Sequence, residues 1–465
     1  MTMRWRFIPL LLLLGACAAP DGAEVPERHH QSPARAELPQ TLPPMKTFAP
    51  RPADMVVRAN ADILRDFLDL AFEMESGRAL PRLTRFEEPI DVAVIGGAPS
   101  TLGPDLDRLL ARLRSEARID IRRAETTATA NILIETVPRR ELQRAVPQAA
   151  CFVVPRVAGW QDFLANRRSG ALDWTTLERR TRTSVFIPSD VSPQEIRDCL
   201  HEEIGQALGP LNDLYRLPDS IFNDDNFHTV LTGFDMLVLR AFYAPEIRNG
   251  MTREAAARAL PGLLARLNPA GERVAPEPLR RTPRAWIGAM ETALGPRGSD
   301  ARRRGAAEDA LRIAASERWL DNRLGFSLFA YGRLALARDT EAALNAFARA
   351  HSLYIGLYGE NDIHAAHVAM QMAAFALSSG QSRVVIDLID RSLPAVMRAE
   401  NAALLSTLLL IKAEALDLEG RGPEAAAVRL DSLGWARYGF GSTGEVRRRF
   451  AEITALTPER TQTGT

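Results

Sequence analysis

The chain has 465 residues, 25% of them charged and 46% hydrophobic, with 58 basic side chains against 58 acidic ones. That length and apolar content suffice for two or three cored domains and exclude a natively disordered protein. A formal net charge of zero, with no basic block, excludes a nucleic-acid partner. Three cysteines and seven histidines are too few for a cysteine-rich metal scaffold.

At the amino terminus Arg4 and Arg6 precede the apolar run Phe7 to Leu14, and Gly15-Ala16-Cys17 ends it with small residues and a thiol. This reads as a signal peptide over residues 1–16, too short to span a bilayer as a mature helix. Leu14-Gly15-Ala16-Cys17 resembles a bacterial lipobox. The resemblance implies lipidation at Cys17 and, because Ala18 and Ala19 follow and not aspartate, an outer-membrane lipoprotein of the cell envelope facing the periplasm or the cell surface. A plain secretory signal cut near Ala16 or Ala19 is the alternative. Multiple acyl chains would make the membrane anchor stable, at about 0.8 kcal/mol per buried methylene. Residues 17–50 are rich in Pro, Ala, Glu and Arg without apolar periodicity and read as a solvated tether, in which His29-His30 takes no role. No later apolar run reaches the ~18 residues a membrane span needs. Cys151 and Cys199 are the two remaining cysteines, and an export signal places them where an even pair commonly bridges, so a disulfide between them is expected.

Residues 51–267 open with helical spacing in Ile63, Leu64, Phe67, Leu68, Leu70 and Ala71. Strand-type runs then follow at Ile90 to Ile95, Ile119 to Ile121, Asn131 to Ile134, Cys151 to Val154 and Ser184 to Ile187, with a helix from Leu102 to Ala117. The pattern is α+β, a mixed sheet with helices. Ser192, Pro193 and Glu195 form a capping-box start for the next helix.

Residues 268–283 hold Pro269, Pro276, Pro278 and Pro283 and read as a linker; beyond them, over 284–460, the composition is Ala, Leu and Arg with helices only. The breakers Asp339, Gly380 and Gly420 each separate two helical runs at a near-constant period: Gly325 to Arg338 with Thr340 to Leu357, Asp362 to Ser379 with Gln381 to Arg398, and Asn401 to Glu419 with Pro423 to Ala436. Helix pairs at fixed period predict an all-α helix-pair solenoid, with a non-repeating bundle as the alternative. Tyr358-Gly359-Glu360-Asn361-Asp362 resembles the turn between repeats of the longer tetratricopeptide variants. His364 and His367 share a helix face, which a groove or wet surface explains more simply than a metal.

The chemical accent falls on Cys199 to Asp213, Cys-Leu-His-Glu-Glu-Ile-Gly-Gln-Ala-Leu-Gly-Pro-Leu-Asn-Asp. A helical zinc peptidase site needs histidines at i and i+4 with a glutamate beside the first as general base. The metzincin form adds a glycine turn and a third ligand. In that template Glu202 takes the first ligand position, Glu203 the base, Gln206 the second ligand, Gly209 the turn and Asn212 the third ligand. The other register begins at His201 and puts Gly205 where the second histidine belongs. The spacing matches and the ligands do not. Ser220-Ile221-Phe222, followed by Leu231-Thr232-Gly233-Phe234-Asp235, resembles the methionine turn and closing helix of metzincins, with Phe222 where that family has methionine. The stretch from Cys199 to Thr252 closely resembles the bacterial family known as domain of unknown function 2927, a resemblance extending over roughly residues 55–255. It implies a zincin-like fold with an active-site-type helix and brings no established activity.

Amide oxygens are weak zinc ligands, so zinc is not expected at these positions and no cofactor is expected from the motif. Two readings of the polar residues stay open. One is a hard divalent cation held by Glu202, Gln206 and Asn212, with Asp213 nearby; the other is a buried hydrogen-bond network joining the helix to the Ser220 to Asp225 turn. His201 reads as a boundary histidine, and His228 as within reach of the same region. The functional expectation is a lipid-anchored envelope protein with a degenerate, non-catalytic metzincin-like domain and a helical-repeat domain for a protein or peptide partner. The alternative is an atypical metal-dependent hydrolase with Glu203 as general base.

Overall fold

A computed structural model describes residues 38–51, 54–147 and 149–458. The expected signal peptide, the expected lipidation site Cys17 and His29-His30 lie outside the described residues. The chain divides into two compact units, residues 48–283 and residues 284–458 together with 38–47.

The first unit begins with helix α1 (Asn60–Phe72), which buries Ile63, Phe67, Leu70 and Ala71 on one face. A five-stranded sheet follows, made of β1 (Ile90–Ile95), β2 (Ile121–Arg123), β3 (Ile132–Val137), β4 (Phe152–Pro155) and β5 (Thr183–Pro188). Its order is β2-β1-β3-β5-β4; β4 runs antiparallel to β5, and the other pairs are parallel. Parallel strands need crossovers, which α2 (Leu102–Ser115) and α3 (Arg139–Ala145) supply. The short helix α4 (Trp160–Asn166) follows β4, where Trp160 and Phe163 stack against Phe152 and Phe186 to form an aromatic cluster. Strand β5 is buried along its whole length, as expected for a strand covered on both faces. The second strand starts later than the sequence pattern predicts. Ile119 is core, but pairing begins at Ile121 and continues into exposed Arg122 and Arg123, charges that suit an edge.

Helix α5 (Pro193–Leu208) leaves β5 and packs on β5, β4 and α2. Ser192 caps it by accepting from the backbone N–H of Glu195 at 3.2 Å, with Pro193 at the first turn. The reciprocal half of the expected capping box is absent, because the Glu195 carboxylate pairs with Arg139. Helices α6 (Gly233–Phe242) and α7 (Arg253–Leu267) complete the unit. The proline-rich stretch 268–283 is docked on α1: the Asn60 amide donates to the Asn268 carbonyl at 3.1 Å and to Glu272 at 2.6 Å, and the Glu277 N–H donates to Asp62 at 3.0 Å.

The second unit is a run of packed helix pairs: α8 (Arg284–Leu294) with α9 (Asp300–Ser316), α10 (Asn322–Ala335) with α11 (Thr340–Tyr358), α12 (Ile363–Ser378) with α13 (Ser382–Arg398), and α14 (Ala402–Leu418) with α15 (Gly422–Gly439), closed by α16 (Thr443–Thr454). Each pair packs on the next. The predicted breakers act as such. Asp339 caps α11 by accepting from the Ala342 N–H at 2.9 Å, and Gly380 and Gly420 take left-handed backbone conformations after α12 and α14. The pair α8 and α9 precedes the three pairs that the spacing predicts. No helix among the described residues is long and apolar enough to cross a membrane.

Candidate functional site

Helix α5 is fixed at three points. A disulfide joins Cys199 to Cys151, just before β4, with 6.0 Å between the Cα atoms. At the other end Arg180 donates to the backbone carbonyls of Gln206 (2.5 Å), Ala207 (2.7 Å) and Gly209 (2.6 Å), satisfying acceptors that a helix terminus otherwise leaves open. Its guanidinium lies 4.9 Å from the Trp174 ring centroid, and burial lowers its pKa to about 10, so it stays charged at neutral pH. Gly209 is required by close approach: a Cβ there would stand 2.7 Å from the Phe242 ring.

The side chains of the motif go to different places. His201 is buried and its Nδ1 accepts from the Leu231 N–H at 3.1 Å, which assigns the ring proton to Nε2. Burial, reinforced by Arg112, Arg197 and Arg108, holds its pKa well below the usual histidine value, so the ring is neutral. Asn212 is also committed, its amide donating to the Asp69 carbonyl on α1 at 3.0 Å. Gly205 faces the Phe222 ring; a Cβ would stand 3.0 Å from the ring carbon Cζ. The position that a second histidine would take in the His201 register is therefore filled from outside by an aromatic ring.

Glu203 and Gln206 are both wholly inaccessible, at 0% exposure. Neither carboxylate oxygen of Glu203 and neither polar atom of the Gln206 amide has a hydrogen-bond partner. Glu202, part-buried, places a carboxylate oxygen within 4.8 Å of one from Glu203. Asp213 is hydrogen-bonded to Glu75, which follows α1, while its Oδ1 is buried without a partner. Asp224 accepts from the Tyr215 hydroxyl at 3.0 Å.

Burial pushes the pKa of Glu75, Glu202 and Glu203 well above the usual carboxylate range, and the carboxylates reinforce one another: Asp213 acts on all three, and Asp224 on Glu75 and Glu202. Burial likewise raises Asp213 to about 7, with Asp224 and Asp235 adding to the shift. The site is thus a group of buried carboxyl groups whose burial and mutual proximity favour their protonated, neutral forms.

The turn after α5 is held separately. Asp235 on α6 accepts from the Ser220 hydroxyl, the Ile221 N–H and the Thr232 N–H, and Ser220 in turn accepts from the Phe222 N–H at 3.0 Å. The network expected between the motif helix and the Ser220 to Asp225 turn is not made by Glu202, Gln206 and Asn212; the turn is tied to α6, and Asn212 to α1. His228 contacts the Pro218 carbonyl at 3.0 Å. His364 is buried against Asp362, 3.0 Å from its ring, and stacks near Tyr354.

Zinc does not fit this set. Both thiols are consumed in the disulfide, the His201 Nδ1 holds a backbone N–H, and the remaining donors are several carboxylates and one amide. Sequence reasoning missed Glu75 and Arg180. Glu75 lies far upstream in an ordinary polar turn, and Arg180 stands in the run Glu178-Arg179-Arg180, which looks like any solvated charge cluster.

Residues 60–262 match the family model described as Protein of unknown function (DUF2927). No curated protein matches the chain. A solved structure titled "Crystal structure of BtubC (BKLC) from P. vanneervenii" aligns at 15% identity and a TM-score of 0.27, covering 50% of this chain and 78% of that one.

Proposed function

We propose that the chain is a lipid-anchored protein of the bacterial cell envelope in which a zincin-like, non-catalytic first unit accompanies a solenoid of helix pairs that receives a protein or peptide partner. The observation that carries the non-catalytic reading is the state of Glu203. A general base must reach the proton it removes, and here both carboxylate oxygens are enclosed, beside a Gln206 that is equally sealed. The mixed sheet, the helix α5 that follows its last strand and the Phe222 turn support the zincin-like ancestry; His201 and Asn212, each engaged by backbone, support loss of the metal-dependent chemistry.

The binding role rests on the second unit. Stacked helix pairs offer extended surfaces to partners. On the face of α10 and α11 lies an open depression of about 390 Å³ lined by Leu324, Leu328, Asn345, Ala348, Arg349 and Ser352, among others, a mixture of apolar and polar groups on which an extended segment could lie. The envelope address rests on the amino-terminal sequence alone.

Three measurements on the full chain test the proposal. Labelling with a radioactive fatty acid should be lost in Cys17→Ala. Peptide-library hydrolysis should be at background for both the native chain and Glu203→Gln; turnover abolished by that substitution would replace this reading with a metal-dependent hydrolase. Photo-crosslinkers placed at Asn345 and Arg349 should give one shared discrete adduct in cells, and its absence from both positions would remove the binding role from this groove.

A further inference from the structure

Residues 38–47 precede the first unit in sequence but pack as part of the second. Within them Pro43 to Lys46 lie along α15, against Asp431, Gly434 and Arg437, which follow one another on a single i+3 row of that helix. Arg437 donates to the Pro43 carbonyl at 2.9 Å, and the Lys46 N–H donates to the Gly434 carbonyl at 3.0 Å. The Lys46 ammonium pairs with Asp431 and lies 5.7 Å from the Trp435 ring centroid. This strap therefore runs antiparallel to the helix, and the spans agree: three residues of polyproline geometry cover about 9 Å, as do six residues of α-helix. Pro43 and Pro44 favour the extended form and bring no N–H to be left unpaired. Gly434 supplies the room. A Cβ there would stand 3.1 Å from Lys46 Cγ and 3.4 Å from the Pro44 carbonyl oxygen, so a residue that weakens a helix interior is explained by the chain lying against it.

We propose that this face of α15 is a recognition site for extended segments of the form Pro-Pro-x-Lys, occupied in the resting chain by its own residues 43–46 and opened to such a segment of another protein when the strap lets go. Proline-rich segments are read in this way because their shape is preformed and little entropy is lost on docking. The two prolines set the shape; the lysine fixes direction and register on Asp431 and Trp435. The strap is held loosely. The Lys46 and Asp431 side chains stay 49% and 41% exposed, and ion pairs of that kind contribute little to stability. What keeps the strap in place is its covalent link, which supplies an effective concentration on the order of millimolar that a competitor must exceed. This proposal rests on the reading of the second unit as a peptide receptor and gives it a second surface. Crosslinking at Asn345 and Arg349 does not depend on α15, so the two readings fail separately.

The test uses the full chain in detergent and a fluorescent synthetic peptide with the sequence of Gln40 to Thr47, followed by anisotropy. Lys46→Glu sets its own strap against Asp431, and this variant should bind the peptide about threefold or more tighter than the native chain does. Adding Asp431→Lys to that variant should weaken peptide binding about tenfold, because it repels the peptide lysine and restores an opposite-charge pair for the strap. The strap itself is read by a lysine-specific protease: the chain has two lysines, Lys46 and Lys412, and Lys412 sits within α14 paired with Asp390. The cut at Lys46 should be about threefold faster in Asp431→Ala, and equally so in the native chain saturated with a peptide whose lysine is replaced by arginine. No saturable peptide binding by Lys46→Glu, equal affinity for the native and Lys46→Glu chains, or a cleavage rate indifferent to both Asp431→Ala and peptide would overturn the proposal. A dimer in light scattering that Lys46→Glu abolishes would also overturn it, by showing the strap exchanged between copies of the chain.

Discussion

Arg180 donates to the main-chain carbonyl of Gln206 at 2.5 Å, so the residue at the heart of the motif is held by its backbone while its side-chain amide is left without a protein partner. The same guanidinium holds the carbonyls of Ala207 and Gly209, which makes one arginine responsible for the closing turn of α5. Arg180→Ala leaves the buried Ala207 and Gly209 carbonyls open and the Gln206 carbonyl with only the Gly209 N–H, and should destabilise the first unit by about 3 kcal/mol, read by urea denaturation. Arg180→Lys should recover only part of that, because a point charge cannot reproduce the planar fork.

The disulfide closes a loop between Cys151 and Cys199, 48 residues apart in sequence. Chain-entropy reasoning gives such a bridge about 4 kcal/mol of stability. Reduction, or a Cys151→Ala and Cys199→Ala double variant, should lower the unfolding free energy by roughly that amount, and α5 should then exchange its amide protons faster than α2.

Burial also raises the Asp198 pKa, from 3.8 to about 6, against the opposing effect of Arg197. An acid whose folded pKa lies above its unfolded value binds the proton more tightly in the native state, so its contribution to stability is lost as pH rises from about 4 to about 6. Asp198→Asn should remove that component. The difference in unfolding free energy between the native chain and the variant should change across this window and be flat above about pH 7; a difference independent of pH would refute the assignment.

Gly209 has no room for a methyl group beside Phe242. Gly209→Ala should cost about 1–3 kcal/mol from overpacking. A Phe242→Leu background should relieve part of it, a non-additivity that a double-mutant cycle measures.

Local chemistry was readable where it was self-contained. Ser192 and Pro193 announce the start of α5, Gly380 and Gly420 announce helix ends, and the two cysteines left after Cys17 had one intramolecular pairing open to them. The sheet was legible as a set of apolar runs, yet its order was not, since strand order depends on crossovers that carry no local signal. The pair α8 and α9 escaped because Ala306, Ala307, Ala310 and Ala314 form a buried face with weak hydrophobic contrast. At the site, spacing placed Glu202, Glu203 and Gln206 on one helix correctly, whereas the destination of Asn212 was hidden. Its partner, the Asp69 carbonyl, belongs to helix α1, which precedes the whole sheet in sequence, and the Glu75 that meets Asp213 lies in the turn just after that helix.

The docking of residues 268–283 on α1 gives the first unit a mechanical character. Asn60, near its beginning, and Asn268, near its end, exchange hydrogen bonds, with Glu272 holding the same amide. The two ends of the unit are thus clasped to each other. Tension drawn through the chain from its two sides would load this clasp, together with the Glu277 to Asp62 hydrogen bond, before it reaches the sheet.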